Sequence, residues 1–357
     1  MSIQTIIKNL TFFLVQYTGF LEITMHYFVQ FDYEMGEVGL FVKRTELERG
    51  KECIMNHKLK KIKNDWLLYV MFIPTLLWIY FFRLRPLPGV ILSWKDFSYS
   101  KGIWDSPWVG WQWFEKFFSD PEAMRVLGNT VFLGLHYLIS NMIVAVAIAL
   151  FLNELRMTRA KKVLQTAVTL PHFISWVVMA GMFGVIFSST GPINSLLNSL
   201  GMDLFTPQNE PSMFRWYLIL TNICKGAGWS SIIYLAGITS IDQTQYESAT
   251  LDGASRLQQI WYITLPCIKS VIITQMILGV GNIVVNGHFD QIYNMYSVPV
   301  YEVADTLDTY IFRETLLTGG MDFGYSTAVG LIKQVIGLVM IIAANKIAKS
   351  VGERGIM

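Results

Sequence analysis

The chain has 357 residues, 53% hydrophobic and 15% charged, whereas soluble domains carry about 25% charged residues. Its formal net charge of +2 gives no basis for binding nucleic acid. Its three cysteines, Cys53, Cys224 and Cys267, stand far apart without CxxC spacing, so neither a disulfide framework nor a zinc site is suggested.

Residues 1–54 read as a poorly defined N-terminal extension. The apolar run 10–20 is bracketed by Lys8 and Glu22, too closely for a comfortable span. No basic segment followed by a small-residue cleavage site marks a signal peptide. A seventh span here is the alternative. Met55 is the expected natural start, because MNHKLKKIKNDW is a basic lead into a span and residues 48–52 can be encoded by a purine-rich run.

From Met55 onward we expect a single all-α membrane domain with six spans. They fall at about 66–82, 126–152, 163–187, 216–235, 267–285 and 328–347, each near the roughly 20 apolar residues that cross a bilayer. Apolar residues run continuously without alternating, which excludes barrel strands. A kink is expected at Pro171, with a structural role for His172.

Basic residues beside spans favour the cytoplasm. Lys58, Lys60, Lys61 and Lys63 precede the first span, Arg156, Arg159, Lys161 and Lys162 separate the second from the third, and Lys346, Lys349 and Arg354 follow the sixth. With six spans all three clusters share one side, which places both termini of the domain in the cytoplasm. The 290–322 loop, with six acidic residues against Arg313, falls outside. The first external loop holds Trp104, Trp108, Trp111, Trp113, Phe114, Phe117 and Phe118. Such density suits anchoring at the membrane–water interface; a sugar-stacking platform is the second reading.

Ionisable and amide groups inside spans are functional candidates. The candidates for the substrate path are Asn222, Lys225, Gln275, Asn282 and Asn286. The last three recur at spacings of seven and four, on one helical face. Their alternative role is to hydrogen-bond helix to helix. Lys225 is expected to face a wet cavity or a partner's carboxylate, and Lys333 to snorkel to the outer interface.

The segment 238–266 is too polar to cross and lies between the fourth and fifth spans. It reads as two short helices with a sharp bend. Asp242 or Thr244 caps the first, with Thr244 and Glu247 forming a capping box. Gly253 takes the left-handed position after it. Ser255 and Gln258 cap the second helix, and Pro266 ends it. Ala249 and Ala254 flank the bend with small side chains.

At these residues the chain resembles the membrane subunits of ABC importers, whose loop reads E-A-A, three residues, G, nine residues, I-x-L-P. Here stand Glu247, Ser248 and Ala249, then Gly253, then Ile263, Thr264, Leu265 and Pro266, with both spacings intact. Ser248 replaces the usual alanine, a small change. The resemblance implies a cytoplasmic helix–turn–helix coupling loop seated in a groove of an ATPase subunit. Tyr246, Glu247, Ser248, Ala249, Asp252, Gly253, Ala254, Ile263, Leu265 and Pro266 would carry the coupling. It further implies two ATPases that hold the ATP and magnesium, a second and distinct permease, and an external solute-binding protein. The chain itself then needs no cofactor and no catalytic residue. The stretches 169–176, 191–194, 228–235 and 305–310 resemble the carbohydrate class, nearest to oligosaccharide permeases.

A phosphate-loop motif is absent; Gly50-Lys51 is followed by Glu52. Neither H-E-x-x-H nor G-x-S-x-G occurs. A permease for a non-sugar solute and a membrane scaffold without transport are the competing readings.

Overall fold

The structure, a computed structural model, describes residues 66–155, 157–285, 288–317 and 322–350. The N-terminal extension, Met55 with its lysines, Arg156, Asn286 and Arg354 lie outside them. Residues up to Arg85 form one unit and those from Pro86 a second.

The described part of the first unit is α1, Trp66–Ile79, continued by a π turn over Tyr80–Leu84. Pro74 sits inside the helix. None of its described side chains is buried although almost all are apolar. That pattern suits lipid as the surrounding solvent.

In the second unit, α2 (Gln112–Ser119) leads into α3 (Pro121–Glu154), which starts where the Asp120 carboxylate accepts the Glu122 N–H at 2.9 Å and Pro121 occupies the first turn. Next come α4 (Thr158–Thr169), α5 (Trp176–Ile186), α6 (Pro192–Ser199) and α7 (Pro211–Thr239). Then follow α8 (Gln243–Leu251), α9 (Arg256–Gln259), α10 (Lys269–Val285), α11 (Phe289–Met295), α12 (Leu307–Phe312) and α13 (Phe323–Ser350). No strand forms among the described residues; one isolated bridge pairs Lys95 with Trp108.

The long helices α3 and α7 share the most extensive contact, and α10 packs on α13 and on α3. Three apolar clusters lie along α3. One gathers Leu133 and Tyr137 with Phe214, Leu218 and Ile292. A second gathers Val126 with Val284, Leu307 and Val329. The third gathers Ala145, Ala149 and Leu152 with Ala227, Tyr234, Ile238 and Ile268. The two ends of α3 therefore carry different things. Its start holds the 301–317 segment, through Asp120 to Tyr310 and Glu122 to Arg313. Its finish holds α9, through Glu154 to Arg256 at 3.7 Å.

Three helical stretches are long and apolar enough to cross a membrane, Tyr69–Trp94, Pro121–Glu154 and Phe323–Ser350, and two bent pairs raise this to five. The expected fourth span, α7, is outside that set; its 29 residues measure about 44 Å, but it carries Arg215 and Lys225.

The third expected span is not one straight helix. Thr158–Phe173 and Trp176–Ile186 meet at 105°. Leu170–Phe173 tightens into a 3-10 turn around Pro171, Ile174 is extended, and the Ser175 hydroxyl accepts the Val178 N–H at 3.3 Å to start α5. A kink at Pro171 is thus a full break three residues later. Against it, α7 comes very close: a Cβ on Gly228 would lie 1.8 Å from the Val168 carbonyl oxygen, so only glycine fits there.

Lys333 does not snorkel. It is buried, and its ammonium binds the Asp308 carboxylate on α12. Folding of the 301–317 segment over the end of α13 supplies a counter-ion that sequence distance conceals.

Candidate functional site

The knob after α7 is built from local signals. Asp242 caps α8, accepting the Thr244 N–H at 3.0 Å. The Thr244 N–H and hydroxyl hold the Asp242 carboxyl below the usual carboxylate range. With Asp242 in the capping position, Thr244 lies inside the helix and the Thr244–Glu247 box does not form. Gly253 has φ +80°, as its place after the helix requires. Ser255 and Gln258 form the expected capping box.

Pro266 does not end the second helix. The helix runs through a π turn over Ile260–Thr264 and on through Leu265–Cys267, then bends 55° at Ile268 into α10. The wide turn closes with the Leu265 N–H on the Ile260 carbonyl and leaves Pro266 in the first turn of the next piece, where its missing N–H does not matter.

The two arms are tied by side chains. The Tyr246 hydroxyl meets the Thr264 hydroxyl at 2.9 Å, and the Gln259 amide donates to the Thr250 hydroxyl at 3.0 Å. Tyr246, Ile263 and Leu265 pack on the apolar cluster at the end of α3 and α7. Glu247, Ser248, Asp252, Gly253 and Pro266 are exposed, and Ala249 and Ala254 are half-buried at the bend. Leu251, Leu257, Trp261 and Tyr262 are also exposed, Leu251 at 89%. Four large apolar side chains are thus exposed on an otherwise polar hairpin. Behind it lies a cleft of about 870 Å3 bordered by Glu154, Gln243, Tyr246, Glu247 and Arg256.

The candidate path residues separate. The Asn222 amide donates to Gln291 Oε1 at 3.1 Å and lies 3.5 Å from His288 Nδ1. Gln291, wholly buried, donates in turn to the Leu218 carbonyl at 2.7 Å and the Thr221 hydroxyl at 2.9 Å. Lys225 points into the break of the third span, where its ammonium donates to the carbonyls of Pro171, His172 and Ile174. Gln275 and Asn282 are half-buried on α10, and the Asn282 amide turns back to the Leu278 carbonyl at 3.2 Å. Asn286 lies outside the described residues.

Residues 142–353 match the model of the family described as binding-protein-dependent transport system inner membrane component. The chain belongs to that family. This inner membrane component is 38% identical to protein LplB of Bacillus subtilis (strain 168), over 83% of this chain and 92% of that one. It is also 38% identical to the polygalacturonan/rhamnogalacturonan transport system permease protein YteP of the same organism, over 84% of this chain and 92% of that one. Among solved structures it resembles a chain of a bacterial ABC transporter involved in the import of the acidic polysaccharide alginate, with TM-score 0.74, 37% identity and coverage of 82% and 99%. A second structure of the alginate transporter, in complex with alginate pentasaccharide-bound periplasmic protein, gives TM-score 0.75 at 36% identity, covering 83% of this chain and 99% of that one.

In this membrane component the groups that sequence reasoning missed are pairings between distant segments. Arg313 binds Asp305 at 2.5 Å and Glu122 at 2.7 Å. Arg215 donates to Asn129 Oδ1 at 2.8 Å and to the Val303 carbonyl at 3.0 Å. For the Arg313–Asp305 pair the acidic excess of the 290–322 loop was a sequence signal.

Proposed function

We propose that the chain is the permease subunit of an ATP-driven ABC importer for oligosaccharides, with six spans and cytoplasmic ends of the domain. The knob between α7 and α10 receives force from a separate ATPase, two copies of which serve this chain and a second, distinct permease. An external binding protein delivers the sugar at the opposite end, near the 301–317 segment. Closure of the ATPases would drive the permease pair between inward- and outward-facing states, a two-state element biased by nucleotide. The coupling residues are those of the knob, from Tyr246 to Pro266.

One observation carries this reading. The family's signature residues fall on a cross-braced hairpin at the end of α3 and α7 that packs its inner side and leaves Leu251, Leu257, Trp261 and Tyr262 exposed. The names of the relatives direct the substrate class toward acidic oligosaccharides such as those from polygalacturonan or alginate.

The test is uptake by proteoliposomes holding the whole complex with its binding protein, offered uronate and neutral oligosaccharides in parallel. Gly253→Pro should keep membrane insertion and lose uptake, since proline cannot adopt φ +80°. Normal uptake by that variant removes the coupling role.

A further inference from the structure

The break in the third span leaves backbone acceptors without helical donors. In an unbroken helix the Ile174 carbonyl would receive the Val178 N–H, but the Ser175 hydroxyl takes that N–H instead. Ile174 and Ser175 are extended, so the His172 carbonyl also loses its place in the ladder. Free carbonyls at membrane depth must find another partner. Lys225 supplies it. Its ammonium donates to the His172 carbonyl at 3.0 Å, to the Pro171 carbonyl at 3.5 Å and to the Ile174 carbonyl, and lies 5.2 Å from the Trp176 ring centroid.

The arrangement satisfies both sides. A charge in a span is expensive unless solvated, and here the main chain of the break and one aromatic face solvate it. Neighbouring contacts hold the same joint. His172 stacks on Trp229 at 4.5 Å with planes 6° apart, Phe173 meets Trp229 edge-on, and Gly228 allows α7 to approach Val168. Lys225, Gly228 and Trp229 all stand on α7, whose last residue is four positions before the start of α8 in the knob.

We infer that Lys225 is a positioning residue for transport: it ties the break of the third span to α7, so that displacement of the knob re-angles α5 against α4. The inference rests on the proposed coupling role of the knob. Lys225 touches no substrate in this scheme. A loss of its charge-assisted bonds would let the break relax independently of α7.

The experiment uses the full complex in proteoliposomes, with native cysteines replaced by serine and a reporter cysteine at Phe173. Maleimide labelling of the reporter is compared with and without ATP and vanadate, which needs no sugar. In the Lys225 parent the labelling rate should change on trapping; in Lys225→Met the change should shrink about tenfold, as loss of hydrogen bonds to a charged group implies. ATP hydrolysed per complex should persist in Lys225→Met while uptake of an oligogalacturonide and oligoalginate mixture falls, and Lys225→Arg should restore both readouts. An unaltered vanadate response in Lys225→Met overturns the inference. So does a fall in complex yield with per-complex labelling and coupling unchanged, which marks Lys225 as a purely structural group. Failure of the parent to move either sugar, with the labelling response intact, counts against the proposed substrate class and leaves the Lys225 result standing.

Discussion

The Tyr246 hydroxyl lies 2.9 Å from the Thr264 hydroxyl, joining the first arm of the knob to the π turn of the second. Thr264 is buried and Tyr246 half-buried, so this bond is shielded from competing water. It fixes the angle between arms that no backbone hydrogen bond spans directly. Tyr246→Phe keeps the ring and removes the bond, at a cost of about 1 kcal/mol. Amides of α8 should exchange faster by about fivefold in hydrogen-exchange measurements, with α3 amides unchanged.

At Gly253 a Cβ would meet nothing within 4 Å, so the demand for glycine is conformational alone. At φ +80° an alanine costs about 1–2 kcal/mol. Gly253→Asn should be milder than Gly253→Ala, since asparagine tolerates the left-handed region better. Thermal unfolding of the two variants in one detergent checks the order; equal losses would show that the bend relaxes out of that conformation.

The Lys333–Asp308 pair is buried on the lysine side. Lys333→Met leaves a carboxylate without its counter-ion and should cost about 3 kcal/mol. Adding Asp308→Asn should recover much of that loss, because the stranded charge disappears with it. A double-mutant cycle read by thermal unfolding tests this; additive losses would show that the two groups do not act as a pair.

Burial holds the Asp305 carboxyl above the usual carboxylate range, against the opposing pull of the Thr309 hydroxyl and the Arg313 guanidinium. A carboxyl raised in the folded state stabilises the fold when protonated. That contribution is complete below its unfolded value of about 4 and is lost as pH climbs through the raised one. Arg313→Gln withdraws support for the carboxylate and moves the folded value higher still. The variant should therefore lose more melting temperature against the parent at pH 8 than at pH 5; an equal loss at both would assign the effect to packing.

What was legible in the sequence followed from short-range chemistry. Ser255 with Gln258, and Gly253 after α8, were readable because a cap needs only residues within one turn. Thr244 was misplaced because Asp242, two residues earlier, caps the helix by accepting the Thr244 N–H, which puts Thr244 inside the helix. Pro266 misled because the rule for proline assumes an ordinary helix, and a π turn removes the clash. Lys225 and Lys333 were visible as charges in apolar segments, but their partners lie 51 and 25 positions away. Asn222 meets Gln291 across 69 positions. Such pairings depend on which helices become neighbours, and one sequence does not encode that in any local pattern.

The buried Lys333 also bears on how the chain is made. α13 follows the 301–317 segment in the chain, and a lysine in an apolar segment opposes entry into the bilayer. Asp308, synthesised 25 residues earlier, is available to neutralise that lysine as α13 packs. Stable insertion of α13 is thus tied to correct folding of the segment before it, since a misassembled chain keeps an unneutralised charge in an apolar helix.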